Sequence, residues 1–411
     1  MMRLSILPFS LLFSLLFIQA GQACTTVIVS GKATRDGRPL MWKNSDGTHF
    51  DQRLIYGDHR GYPFIAISRS TATNIATADI WIGTNSEGFS IMNTVSYNIS
   101  ESDDMSRNGS LMRCALEVCT DVASFKHFLD TLPRPMRVQA NFGVIDAHGG
   151  AAYFETNHLT YYMVDVNDPS VAPYGYLVYT NFSYNGKFDA GQGYERYQTA
   201  VDIMAKGAPA KAFTPQWIFH NLARSFYHSL LGIDLKLPQY AALTPNGWFP
   251  DSDFIPRKST ATSCVIHGVK PDENPEFATL WTILGYPPCS IAIPCWLKLK
   301  DKQSPLLMHT ATSENAPICN MALALKERIF PIERGNGSKY FNFGLLYNHS
   351  NNSGYMQQLA PLEQACFQTA DKLMEGWRTK EIDVKEAQSF IATISSKIEQ
   401  KMQQLLDLST Q

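Results

Sequence analysis

Cys24-Thr-Thr-Val-Ile-Val-Ser30, the turn signal Asp36-Gly37, and Pro39-Leu-Met-Trp-Lys-Asn44 set the frame for the whole chain. The β-branched run starting at Cys24 predicts a strand. Asp-Gly followed by a second extended run predicts its hairpin partner. Directly upstream, Met1-Met2-Arg3 is a short positive start, and Leu4 to Ile18 is almost unbroken apolar sequence. Gln19-Ala-Gly-Gln-Ala23 then supplies small residues at −1 and −3 of a cut after Ala23. That three-part layout is a secretory signal, too short for a comfortable permanent span. It predicts an exported protein, periplasmic or extracellular, whose mature chain begins with Cys24.

Three readings fit a cysteine at that position. It is an ordinary residue after a cleavage site or half of a disulfide; it is acylated as a lipoprotein anchor; or it is an N-terminal nucleophile. Lipoprotein signals usually carry an aliphatic residue at −3, where this chain has Gly21. The nucleophile reading has a direct chemical basis. A free α-amino group titrates near about 8, against about 10.4 for lysine, so much of it is neutral at working pH. It shares a residue with the thiol and can take the thiol proton, directly or through a water.

Composition narrows the field without naming a chemistry. In 411 residues, 45% are hydrophobic and 12% aromatic, enough for a large core and unlike a disordered or fibrous chain. Thirty-five basic against 37 acidic side chains, a formal charge of −2, give no field favouring nucleic acid or an anionic membrane. Eight cysteines are too dilute for a disulfide scaffold. There is no C-x-x-C, and neither Cys114/Cys119 nor Cys289/Cys295 has histidines at zinc spacing. Phosphate-loop, zinc-helix and nucleophile-elbow motifs are missing from the sequence, and Gly191-Gln-Gly193 lacks the third glycine of a dinucleotide fingerprint. No metal or organic cofactor is expected.

Further strand-like runs lie at 63–68, 79–83, 89–97, 141–146, 151–156, 176–181, 264–269 and 277–285, with Asp146-Ala-His-Gly-Gly150 as a hairpin turn. Helical periodicity marks 111–132, 194–206 and 217–231. Residues 335–355 are loop-like, and 362–378 and 384–408 read as two amphipathic helices. Strands alternating with a few long helices predict α+β layers with mostly antiparallel sheets. The organisation expected is a signal over 1–23, a catalytic domain over 24–335, and a loop plus C-terminal helical extension over 336–411. Those helices pack on the main domain or join a second subunit in a homo-oligomer.

Cys24-Thr-Thr-Val-Ile-Val, Asp36-Gly37 and Lys43-Asn-Ser-Asp46 together resemble the start of the N-terminal nucleophile cysteine hydrolases. The resemblance continues at Trp81-Ile-Gly-Thr-Asn-Ser-Glu-Gly-Phe-Ser-Ile-Met-Asn93, Asn141-Phe-Gly-Val-Ile-Asp-Ala147, Tyr179-Thr-Asn181 and Tyr194-Glu-Arg-Tyr197, covering roughly residues 24–300. It is nearest the acyl-coenzyme A:6-aminopenicillanate acyltransferase-like and choloylglycine hydrolase-like linear-amide hydrolases. That likeness implies a four-layer αββα sandwich. It also implies that Cys24 attacks a linear amide to form a thioester, with Asp46 fixing the α-amine and Lys43 standing where choloylglycine hydrolases carry arginine. Asn181 would donate to the oxyanion, Asn93 or a neighbour would be the second donor, and Arg196 would orient the site. The implied partner is a small amide: an N-acyl amino acid, a bile salt or a penicillin V-like molecule. A membrane partner follows only from lipidation of Cys24. Alternatives within reach are a secreted dipeptidase, an acyltransferase and a non-catalytic surface lipoprotein.

Overall fold

The computed structural model describes residues 23–100, 102, 104–243, 246–251 and 253–408. Residues 1–22, which carry the expected signal, lie outside the described residues. In chain order the strands of the two large sheets begin β1 (Ala23–Val29), β2 (Leu40–Asp46), β3 (Gln52–Gly57), β4 (Phe64–Arg69), β5 (Ile80–Asn85) and β6 (Ser90–Val95). Helices α1 (Asn108–Val118) and α2 (Val122–Thr131) follow, then β7 (Ala140–Ile145), β8 (Ala151–Thr156), β9 (Tyr161–Asp165) and β10 (Tyr176–Tyr179). Next come α3 (Tyr194–Gly207), the short α4 (Pro215–Ile218), and the short strands β11 (Tyr227–His228), β12 (Ile233–Asp234) and β13 (Trp248–Pro250). The chain ends with β14 (Thr260–His267), β15 (Thr279–Leu284), β16 (Ile293–Trp296), α5 (Pro317–Ile329), β17 (Tyr340–Asn342), α6 (Phe343–Leu346), α7 (Tyr355–Trp377) and α8 (Val384–Asp407).

One sheet runs β10-β1-β2-β14-β15-β16 and the other β3-β4-β5-β6-β7-β8-β9, with every pairing in both antiparallel. The sheets pack face to face, β1 against β6 and β2 against β7. Helices α1 and α2 cover the outer face of the seven-stranded sheet through Leu111, Met112, Leu116, Phe125 and Leu129. Helices α3, α4, α5 and α7 cover the outer face of the six-stranded sheet. This is the four-layer αββα sandwich. Covered on both faces, β1 is buried at every position, which is why its sequence is continuously apolar or β-branched rather than alternating.

Two helix boundaries differ from expectation. The run at 111–132 is two helices, because Asp121 and Ser124 form a capping box that starts α2 afresh. The run at 217–231 is helical only to Ala223, and Tyr227–His228 turns into the small hairpin with Ile233–Asp234. Arg224 is drawn out of the helix by a bidentate pair with Glu363 of α7 at 2.7 and 2.8 Å. The C-terminal helices pack into the same hydrophobic core as the six-stranded sheet, with Phe367 stacked on Trp281 and Trp377 against Trp296. The loop-like stretch 335–355 contains β17, whose pairing with β13 joins it to the body of the protein.

Candidate active site

Register alone assembles the centre of the site. Between β1 and β2, Cys24 lies opposite Ser45, Thr26 opposite Lys43 and Ala23 opposite Asp46. Between β1 and β10, Thr26 lies opposite Tyr179, so the same antiparallel register continued two residues sets Asn181 across from Cys24. One end of β1 is therefore flanked by Lys43 and Asp46 on one side and Asn181 on the other.

The Cys24 N–H donates to Asn181 Oδ1 at 3.2 Å, and that oxygen also accepts from Arg196 Nη2 at 2.9 Å. Both partners only donate, so the orientation of the Asn181 amide is fixed, and its Nδ2 donates to the Val95 carbonyl at 2.9 Å. Arg196 Nη1 donates to the Cys24 carbonyl at 2.8 Å and to Thr25 Oγ1 at 2.7 Å. Arg196 stands in the first turn of α3 and is almost wholly buried. Gly193, at φ 79°, begins that helix, and a Cβ there would collide with Arg196 Nη2. Gly193, part of the stretch that reads as a loop in the sequence, is what lets the guanidinium reach Cys24. Burial, and the positive charge of Arg257, hold the Arg196 guanidinium down to about 10.

Lys43 is also buried; its Nζ donates to Asn93 Oδ1 at 2.7 Å and to the Trp81 carbonyl at 3.1 Å. Burial pushes its ammonium below the ordinary lysine range, against the pull of Cys24, Cys264 and Asp46. With Oδ1 committed to Lys43, Asn93 offers its Nδ2 hydrogens, which have no partner among the described residues, to the pocket it lines. That pocket, a cavity of about 40 Å³, is bounded by Cys24, Lys43, Ser45, Asp46, Trp81 and Asn93 among others. The Cys24 Sγ sits 3.9 Å from Ser45 Oγ.

Asp46 departs from expectation. Its oxygens accept from Arg257 Nε at 2.9 Å and Thr260 Oγ1 at 2.7 Å, while the Cys24 nitrogen bonds to Asn181 instead. The physical reason is that this nitrogen is still the amide of the Ala23–Cys24 peptide, with a single hydrogen to give. Asn181 also departs: it is fully buried behind Val95, and Asn93 is the side-chain amide that faces the pocket. The structure thus gathers Cys24, Lys43, Asp46 and Asn93 around one pocket, with Asn181 and Arg196 directly behind. Sequence reading missed Arg257, just before β14, and Thr260, the first residue of β14, which carry no motif of their own. Burial opposes the Arg257 charge, but Asp46 more than compensates and raises it above the usual arginine range.

All eight cysteines are unbridged, and burial pushes Cys264 and Cys319 up to about 11. Among the described residues no cluster of three His, Cys, Asp or Glu side chains could hold a metal. No helix among them is long and apolar enough to cross a membrane.

Cys24 near the start of β1, sandwiched in αββα layers with its nitrogen and carbonyl clamped by Asn181 and Arg196, is the arrangement of an N-terminal nucleophile hydrolase fold. Residues 33–202 of the chain match the family model described as acyl-coenzyme A:6-aminopenicillanic acid acyl-transferase. No curated protein matches the chain. Among solved structures it is similar to the conjugated bile acid hydrolase of Clostridium perfringens, at 12% identity over 67% of this chain and 93% of that one, TM-score 0.37. It is likewise similar to the Caenorhabditis elegans ortholog of N-acylethanolamine-hydrolyzing acid amidase (14% identity, 59% and 92% of the chains, TM-score 0.38). The penicillin V acylase of Agrobacterium tumefaciens is similar at 12% identity, covering 67% and 86%, TM-score 0.36.

Proposed function

We propose that the protein is exported, is cut between Ala23 and Cys24, and then hydrolyses linear amides through a Cys24 thioester. The observation that carries this reading is the clamp on Cys24: Asn181 Oδ1 on its nitrogen, Arg196 on its carbonyl, and its sulfur on a pocket wall. Cleavage turns the amide nitrogen into an amine whose lone pair can take the thiol proton. Asn181 then orients that amine, and Asp46, paired with Ala23 across the strands, lies beside the new terminus.

In the first step Cys24 Sγ bonds to the amide carbonyl carbon as its proton moves to the α-amine. The carbonyl oxygen becomes an oxyanion, for which Asn93 Nδ2 is the placed side-chain donor. The ammonium passes its proton to the leaving nitrogen, the C–N bond breaks, and an amine departs from the thioester. A water, deprotonated by the α-amine, attacks the thioester; the acid leaves and the thiol is restored. Lys43 holds Asn93 in place and adds positive charge beside the forming thiolate.

Burial of Cys24 inside a paired strand speaks against a lipid anchor on its sulfur, because two acyl chains would have to fill the pocket. Acyl transfer is the second reading, favoured by the family match over 33–202, and differs only in which nucleophile meets the thioester. The test is mature protein offered N-acyl amino acids, bile-salt conjugates, penicillin V and dipeptides, with and without an amine acceptor. Amide cleavage by a chain whose first residue is Cys24, lost in Cys24→Ala, supports the proposal. Turnover by the alanine variant refutes it.

A further inference from the structure

The pocket that holds Cys24 also contains an arginine with nothing to bind. Arg69, the last residue of β4, lines it, and its guanidinium makes no hydrogen bond or ion pair among the described residues. Its close partner is the Trp81 ring, whose centroid lies 5.5 Å away. Asp79 is near enough for Arg69 to favour its charged form, yet the two form no ion pair, and burial raises the Asp79 carboxyl above its usual range. Trp81 ties this arginine to the reacting centre, since its carbonyl receives the Lys43 ammonium while its ring carries Arg69. Two further lining groups lack partners: Trp81 Nε1 and Gln52 Oε1 are buried without a hydrogen bond. The carboxylate in the pocket, Asp46, is already committed to Arg257 and Thr260. The wall therefore presents two cations, Lys43 and Arg69, bonded to no carboxylate.

We propose that Arg69, lying over the Trp81 ring, is the specificity-determining residue that binds a carboxylate of the substrate, so the preferred amides are anionic. This rests on the amide-hydrolase reading above and adds to it the charge of the substrate and the residue that reads it. A guanidinium without a hydrogen-bonded partner has its planar fork free for two parallel bonds to a carboxylate, a geometry that lysine does not reproduce. The carboxylate lies on either the acyl or the amine side of the scissile bond, and two substrate pairs separate these.

The first pair is an N-acylglycine against the N-acylethanolamine of the same chain length; the second is glutaryl anilide against pentanoyl anilide. Mature wild-type protein should favour the charged member of at least one pair by about 10-fold or more in kcat/KM. Arg69→Gln should collapse that ratio through KM, and Arg69→Lys should restore part of it. A preference that survives Arg69→Gln, or a wild-type preference for the neutral member in both pairs, overturns the proposal. Calorimetric binding of the N-acylglycine and of glutaryl anilide to the Cys24→Ala mature chain gives a readout independent of turnover. Affinity for at least one should fall about 10-fold with Arg69→Gln. If the wild type cleaves no amide, the hydrolase reading fails and this binding alone decides: no binding of either ligand, or binding indifferent to Arg69, overturns the inference.

Discussion

Arg196 and Cys24 are joined twice: one guanidinium nitrogen donates to the cysteine carbonyl at 2.8 Å, and the other holds Asn181 Oδ1, the acceptor of the cysteine N–H. Helix α3 thereby fixes both ends of the nucleophile's own residue, though the two are 172 positions apart in the chain. A lysine has three donors on a single nitrogen and cannot span these acceptors. Arg196→Lys should leave at least one buried oxygen unpaired, at a cost of about 1–3 kcal/mol. We expect kcat to fall about 10- to 100-fold with little change in KM. Slower alkylation of Cys24 by iodoacetamide at neutral pH should accompany it, a readout that mere loosening of α3 would not produce. Wild-type alkylation kinetics would exclude the positioning role.

Asn93 faces the pocket as an amide donor because Lys43 occupies its oxygen. Removing that donor in Asn93→Ala should lower kcat by roughly 10²- to 10³-fold, the usual loss for one oxyanion donor, while KM stays near its wild-type value. Asn93→Asp should be as damaging, since a carboxylate beside Lys43 forms an ion pair but cannot donate to an oxyanion. Single-turnover measurement of acylation separates this from slow product release. Equal acylation rates in the aspartate variant and the wild type would remove Asn93 from the mechanism.

Arg257 holds a carboxylate whose side chain is 1% exposed. Taking the guanidinium away strands that charge, leaving Thr260 as its remaining side-chain donor. Arg257→Ala should destabilise the fold by about 3 kcal/mol, read as a lower urea midpoint with an unchanged slope. Arg257→Ala combined with Asp46→Asn should recover part of the loss, because no buried charge is then left unpaired. A double variant as unstable as the single one would mean that Arg257 acts through packing instead.

Sequence made the strands legible where burial imposes a pattern that single residues cannot hide. Cys24 to Val29, Leu40 to Asp46 and the hairpin around Asp146 fall where β-branched runs and turn residues put them. Position marks Cys24, the family resemblance points to Asn93 and Arg196, and the fold brings the three to one place. What local pattern could not carry is the identity of partners hundreds of residues apart. The Asp46–Arg257 pair depends on β2 lying beside β14, and no feature of Ile255-Pro-Arg257 announces that neighbour. Likewise β13 is only three residues long and ends in Pro250, so it becomes a strand by pairing with β17 rather than by its local pattern. Helix α5, whose apolar positions are buried from Ile318 to Ile329, carries no sequence signal that shows the sheet it covers.

Lys326 on α5 supplies a prediction about stability and pH. It is 6% exposed, its ammonium lies 3.6 Å from the centroid of the Phe50 ring, and it forms no ion pair among the described residues. Burial holds this group down to about 7, even though Cys289, Asp251 and Asp46 favour its charge. The unfolded chain would titrate it near about 10.4. Between those values the unfolded state binds a proton that the folded state does not, so this residue makes the fold more stable as pH rises from 7. Relative to Lys326→Met, the wild type should gain about 2 kcal/mol of unfolding free energy between pH 7 and 9. The methionine variant, which has no charge to bury, should be the more stable of the two at pH 7 and lose that advantage on the alkaline side. Parallel profiles for the two proteins across that range would show that Lys326 keeps an ordinary affinity for its proton and that its burial costs the fold nothing.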